Sequence, residues 1–243
     1  MPDDKSPYYT GITYLQGDQV MVADVINMRV VLVNSSYQYI ASFTQPDKPY
    51  DICVVDHQEV AVSLPFQKTL PFLSVTNRSI KPTNKVKTIY RSWGVAPAGK
   101  AKIVVSGNCN DKGKHYWSLI NSTGKEEKYY QFDCQCTPST TYITVNSSCT
   151  SVYLTVFMAN YLYCFDMDGK KMYIYSTDNL KGPKGVATDR DDNVNVVGWL
   201  SNKIHQLTSD GTPIRIITEG IPQSSRIICF NSSLDRYFSW PTE

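Results

Sequence analysis

The stretch Gly182–Gly211, GPKGVATDRDDNVNVVGWLSNKIHQLTSDG, decides how this chain folds. Val186, Ala187 and Thr188 form a short strand-type run that enters an Asp/Asn turn, and Val194, Val196 and Val197 form a second. A loop carrying Trp199 leads to a third run with Ile204, Gln206 and Leu207, and Ser209-Asp210-Gly211 closes a tight turn. Apolar residues alternating with polar ones between Asp-Gly-type turns are a strong local signal for hairpins.

The stretch is one copy of a repeat. Aligning the apolar residue that opens each copy gives Ile12, Ile52, Val95, Ile143, Val186 and Ile227, at intervals of 40, 43, 48, 43 and 41 residues. Behind the first five openers lie second runs (QVMVAD, EVAVSL, AKIVVSG, SVYLTV, NVNVVG), then a third and a fourth. Four short antiparallel strands repeated every forty or so residues predict the blades of a propeller around a central channel. No segment carries apolar residues at helical spacing over three turns. A two-sheet sandwich would give short strands but no reason for a fixed interval.

The predicted fold is therefore all-β, a six-bladed β-propeller with its sixth blade incomplete. The predicted blades are approximately 11–49, 50–93, 94–140, 141–183, 184–223 and a partial 224–240, with residues 7–10 available to close the last. The six openers should ring the axis as core positions.

At 243 residues, with 42% hydrophobic residues and a net charge of +2, the chain makes one domain with a substantial core and no surface wholly devoted to nucleic acid. Its longest apolar runs are too short to span a membrane. The opening MPDDKSPYYT is polar and acidic rather than signal-like, so a cytoplasmic location is expected, with the seven cysteines reduced. Cys134 and Cys136 form the only C-x-C pair, and no C-x-x-C spacing predicts a metal centre. Asn34, Asn77, Asn121, Asn146 and Asn231 open N-x-S/T triplets and read as turn residues.

Pro183, Gly185, Val186, Ala187, Asp189, Asn193, Val194, Val196, Asn202, Lys203, Ile204, Leu207, Asp210 and Gly211 fit the pattern of an NHL repeat. Asp192 stands where the repeat usually has Gly, and Gly198 where it often has Asp. The whole chain resembles the C-terminal NHL-type propeller of tripartite-motif proteins, of the expanded set found in molluscs and other invertebrates. The resemblance implies a non-catalytic recognition propeller, the substrate- or partner-binding region of a ubiquitin ligase-like protein. The RING, B-boxes and coiled coil of such ligases have no counterpart in these residues. Some propellers of this family bind single-stranded RNA, which is the alternative.

In a propeller the loops between second and third strands open on the same face as the blade-to-blade connections. Here those loops hold ten basic residues against six acidic, while the opposite face holds twelve acidic against nine basic. The predicted partner-binding face comprises Arg29, Lys68, Arg91, Trp93, Lys112, Lys114, His115, Lys181, Lys184, Trp199, Asn202 and Lys203. A protein ligand is expected, without catalytic residues, metal, small-molecule cofactor or membrane contact. A lactonase or lyase on the same fold is a second alternative. It would need ligands converging at the channel mouth, and His57, His115 and His205 occupy different repeat positions.

Overall fold

A computed structural model describes residues 5–231 except 77, 110–112, 122, 135 and 138, together with the backbone of residues 237–239. The first blade is β1 (Tyr9–Tyr14), β2 (Val20–Asp24), β3 (Arg29–Val33) and β4 (Tyr39–Thr44). The second is β5 (Ile52–Asp56), β6 (Glu59–Val62), β7 (Thr69–Thr76) and β8 (Ser79–Lys87). The third is β9 (Arg91–Pro97), β10 (Lys102–Asn108), β11 (Lys114–Asn121) and β12 (Glu126–Asp133). The fourth is β13 (Thr141–Val145), β14 (Ser151–Val156), β15 (Tyr161–Asp166) and β16 (Lys171–Tyr175). The fifth is β17 (Pro183–Thr188), β18 (Val194–Gly198), β19 (Lys203–Leu207) and β20 (Pro213–Ile217). Each is an antiparallel sheet in sequence order, and a 3₁₀ turn at Phe157–Ala159 is the one helical element among the described residues.

The expected six-bladed count is corrected: the propeller has five four-stranded blades. Beyond the fifth blade the chain forms a two-stranded sheet, β21 (Ile228–Phe230) against β22 (Tyr237–Ser239), with only three residue pairs in register. The repeat's opener recurs at Ile227, and among the described residues behind it only β21 and β22 pair. β21 nevertheless lies against both β17 and β1, so the ring of inner strands closes. Tyr9 and Thr10 belong to β1 itself.

All six openers are buried and line a central cavity of about 210 Å³. Two inner-strand glycines show why this ring is tight. A Cβ on Gly11 would stand 2.5 Å from Asp51 Cα, and one on Gly185 would stand 2.9 Å from Ile227 Cα.

Each blade is apolar on both faces, so neighbours bury what one sheet cannot. Met21 and Leu32 of the first blade meet Ile52 and Val60 of the second. Phe72 meets Val95 and Ile103 across the next interface, and Trp117 and Leu119 meet Leu154 and Phe165 across the third. Side chains of this size contribute about 1.5–3 kcal/mol each when fully buried.

Polar bonds set the angle between blades. Ser63, Ser106 and Thr155 follow the apolar run of the second strand in blades two, three and four. Ser63 Oγ donates to the Trp93 carbonyl at 2.7 Å and accepts from Asp51 N–H at 2.9 Å. Ser106 Oγ meets Thr141 Oγ1 at 3.0 Å, and Thr155 Oγ1 donates to the Lys184 carbonyl at 2.7 Å. Asp51 joins the same belt, taking Val95 N–H on Oδ2 at 3.0 Å and Ile52 N–H on Oδ1 at 2.9 Å. Burial drives its carboxyl pKa up to about 8, against the opposing pull of those two N–H groups.

The two ends of the propeller differ. At the lower end, where first strands meet second and third meet fourth, turns satisfy their own polar groups. Asn34 Oδ1 accepts the N–H groups of Ser36 and Gln38, Asn121 those of Thr123 and Lys125, and Asn146 those of Thr150 and Ser151. Asp166 and Asp189 repeat the arrangement. Three of the N-x-S/T asparagines are thus turn residues. Asn77 lies outside the described residues.

Candidate functional site

The upper end carries large apolar side chains that the fold leaves exposed. Phe66, Met158 and Leu200 stand exposed on the loops β6–β7, β14–β15 and β18–β19, with Ile26 and Met28 on β2–β3. Buried polar atoms without a hydrogen bond gather there too: Gln45 Nε2, Thr69 Oγ1, Trp93 Nε1, Asn202 Oδ1 and Arg226 Nε. Buried polar groups are nearly always paired, so these five unpaired atoms single out this end of the propeller.

Two cation–aromatic stacks frame the upper channel mouth. In the first, the Arg91 guanidinium lies 5.2 Å from the Phe66 ring centre, and Phe66 meets Trp93 edge-on at 5.7 Å. Trp93 in turn meets Tyr50 at 4.8 Å. In the second, the Trp199 ring carries Lys184 Nζ at 4.5 Å and the Arg226 guanidinium at 4.2 Å from its centre. Phe157 also faces Lys184 at 5.1 Å, and Tyr8 faces Arg226 at 4.2 Å.

Between the stacks lies a cleft of about 410 Å³ lined by Arg91, Trp93, Asn108, Thr140, Phe157, Met158, Lys184 and Trp199. Ligand pockets usually run from about 300 to 1,000 Å³. Lys184 is only 6% exposed, and no carboxylate comes within ion-pair distance of it among the described residues. Burial lowers its pKa to about 8, and burial likewise lowers that of Arg226 to about 10. Two desolvated cations held by π-faces, without counter-charge, can receive an anionic group.

Of the residues named from the sequence, Arg91, Trp93, Lys184 and Trp199 come together here. Lys181 is exposed beside them, and Lys203 donates to Asn179 Oδ1 at 2.8 Å on the same rim. Asn202 sits in the β18–β19 turn with φ 49°, its Oδ1 buried. Lys68 occupies a left-handed turn position (φ 53°) on the β6–β7 loop. Arg29 bonds Asp24 at 3.2 Å and lies against its own blade. Lys114 opens β11 half-buried, and Lys112 lies outside the described residues.

His115 is fully buried and points into the blade rather than onto the face. His205 is buried too, held by Tyr175 Oη at 2.9 Å and near the Asn179 carbonyl at 3.3 Å, while His57 is exposed at the lower end. The site owes as much to residues outside the predicted binding set, namely Tyr8, Phe66, Phe157, Met158, Leu200 and Arg226, of which Arg226 is one of the ten basic residues counted on the upper loops. Their only sequence signal was apolar or basic character within upper loops. At the lower channel mouth an opening of about 960 Å³ is lined by Tyr14, His57, Pro97, Lys100 and Phe230 among others.

No protein-family model matches the chain, and no curated protein sequence matches it. Solved structures do. Virginiamycin B lyase from Staphylococcus aureus superposes with a TM-score of 0.71 at 15% identity, covering 98% of this chain and 85% of the lyase. Luciferin-regenerating enzyme gives 0.74 at 12% identity, over 98% and 85% of the two chains. The β-propeller domain of Cps50 (Swd1) from Myceliophteria thermophila gives 0.68 at 10% identity, over 97% and 80%. At such identities the likeness shows the fold: the chain is an all-β propeller. Enzymes and a propeller domain not titled as an enzyme stand together among these structures, so the fold is neutral on activity.

Proposed function

We propose that the chain is a non-catalytic recognition propeller whose upper face holds a carboxylate-bearing segment of a protein partner. The observation that carries this reading is the pair of uncompensated cations, Lys184 and Arg226, that stand over Trp199. A partner carboxylate would supply the missing counter-charge in a partly desolvated setting, where charge-assisted bonds are strong. The exposed Phe66, Met158 and Leu200 around the cleft offer apolar anchors of the kind found at the centres of protein interfaces.

The same geometry favours protein over RNA. Trp199 already carries two cations against its ring and Trp93 is 8% exposed, which leaves little aromatic surface for stacking a base. In the setting that the NHL-type resemblance implies, a tripartite-motif ubiquitin ligase working in the cytoplasm, this face would hold the protein presented for modification.

Capture from native lysate tests the reading. Wild-type protein should retain partners after ribonuclease treatment, and Lys181→Glu combined with Lys203→Glu should lose them while the thermal midpoint stays nearly unchanged, because exposed charges contribute little to folding. Capture that survives the double reversal, or that vanishes with ribonuclease, would overturn it.

A further inference from the structure

At the upper end of the third blade, away from the channel, the two outer strands bring together a different set of donors. His115 lies opposite Phe132 in the β11–β12 ladder. Alternation carried one residue past the end of β12 at Asp133 puts Cys134 on the same side of the sheet as Phe132. Cys134 N–H bonds the Gly113 carbonyl at 2.7 Å, which fixes this end of the strand beside β11. A His115 ring nitrogen and the sulfurs of Cys134 and Cys136 all lie within 4.8 Å of one another, and the two sulfurs are 3.0 Å apart.

This is the only such cluster of three histidine, cysteine or acidic ligands among the described residues. His115 is 0% exposed and neither ring nitrogen makes a well-formed hydrogen bond, while Phe132 stacks on its ring at 5.9 Å. A buried imidazole without a well-formed hydrogen bond at either nitrogen is uncommon unless one of them serves as a ligand. Cys134 is 1% exposed and Cys136 half-buried, so the cluster opens to solvent on one side.

We propose that His115, Cys134 and Cys136 bind a thiophilic zinc-type divalent cation, with a fourth position open toward solvent. Two thiolates and an imidazole are the donors such an ion takes. On binding, each thiol releases its proton to solvent and the sulfur lone pairs form the two metal–sulfur bonds. Two thiolates and a divalent ion sum to zero charge, whereas copper(I) would leave a net negative charge in a mostly buried spot. Tetrahedral zinc, with metal–sulfur bonds of about 2.3 Å, separates its sulfurs by about 3.8 Å. The present 3.0 Å would open by less than about 1 Å through rotation of the half-buried Cys136 side chain. The cluster is independent of the cation–aromatic cleft.

The test uses the full chain, reduced and stripped with chelator, then titrated with cobalt(II) and zinc(II). The expected result is one equivalent of cobalt with a thiolate-to-cobalt charge-transfer band, displaced by zinc. Cys136→Ser should weaken binding by at least about 100-fold, since losing even an outer-shell partner costs about 10–100-fold. His115→Gln should weaken it comparably. Should that variant fail to fold, the half-buried Cys136 position carries the test alone. No band in folded wild-type protein, unchanged affinity in Cys136→Ser, preference for copper(I), or metal-free protein isolated with Cys134 and Cys136 joined as a disulfide would each overturn the proposal.

Discussion

Replacing Lys184 by Met should make the protein more stable while removing its ability to bind. Lys184 is 6% exposed with its pKa lowered from 10.5 to about 8 by burial. At about 1.36 kcal/mol per unit, holding that ammonium charged at pH 7 costs roughly 3 kcal/mol. Its contacts with Trp199 and Phe157 return about 0.5–1 kcal/mol each. Met keeps the unbranched chain and its packing, so Lys184→Met should gain about 1–2 kcal/mol at pH 7. The pH dependence identifies the cause. Below about pH 8 the ammonium is charged in folded and unfolded chains alike, and only the folded one bears the desolvation. Between about 8 and 10.5 the folded protein sheds this proton first, so wild-type stability rises through that window and the variant's advantage shrinks. Urea unfolding at pH 7 and pH 10 reads both effects. A variant less stable than wild type at pH 7, or a difference that stays flat up to pH 10, would refute the reasoning.

Asp51→Asn probes the channel carboxyl, whose folded pKa of about 8 lies above its ordinary 3.8. The stability it confers is present at low pH and lost as pH rises toward 8, so urea unfolding should show the variant gaining on wild type by roughly 3–4 kcal/mol from pH 5 to pH 8. A flat difference would mean that Asp51 is ionised in the folded protein. Gly185→Ala would push a Cβ to 2.8 Å from the Arg226 carbonyl and should lower stability by about 1–3 kcal/mol, with β21 losing amide protection before the rest. Leu154→Ala, at a fully buried position between the third and fourth blades, should cost about 2–5 kcal/mol without affecting partner capture.

The features legible in the sequence were those repeated along it. The openers from Ile12 to Ile227 recur because each inner strand presents one apolar residue to the axis, and all six line the central cavity. Asn34, Asn121 and Asn146 were legible as turns because an Asx side chain bonds backbone within a few residues of itself. Blade number was not, since Ile227 repeats the opener while the chain behind it pairs through only three residues. The burial of His115 follows from its place in the β11 ladder, which loop charge does not reveal. The Lys184–Trp199–Arg226 stack is not legible because its members come from β17, the β18–β19 loop and the segment before β21, joined only when β21 closes the ring between β17 and β1.

Site-specific photo-crosslinking tests most directly whether the upper face holds a protein partner. A photoreactive residue at Leu200, 62% exposed on the upper rim, is compared with one at Lys100 beside the lower mouth. A protein partner should crosslink at position 200 and not at position 100, and Lys184→Met should abolish the upper crosslink. Crosslinking confined to position 100, or upper crosslinking unaffected by Lys184→Met, would contradict a recognition face built on the upper cations.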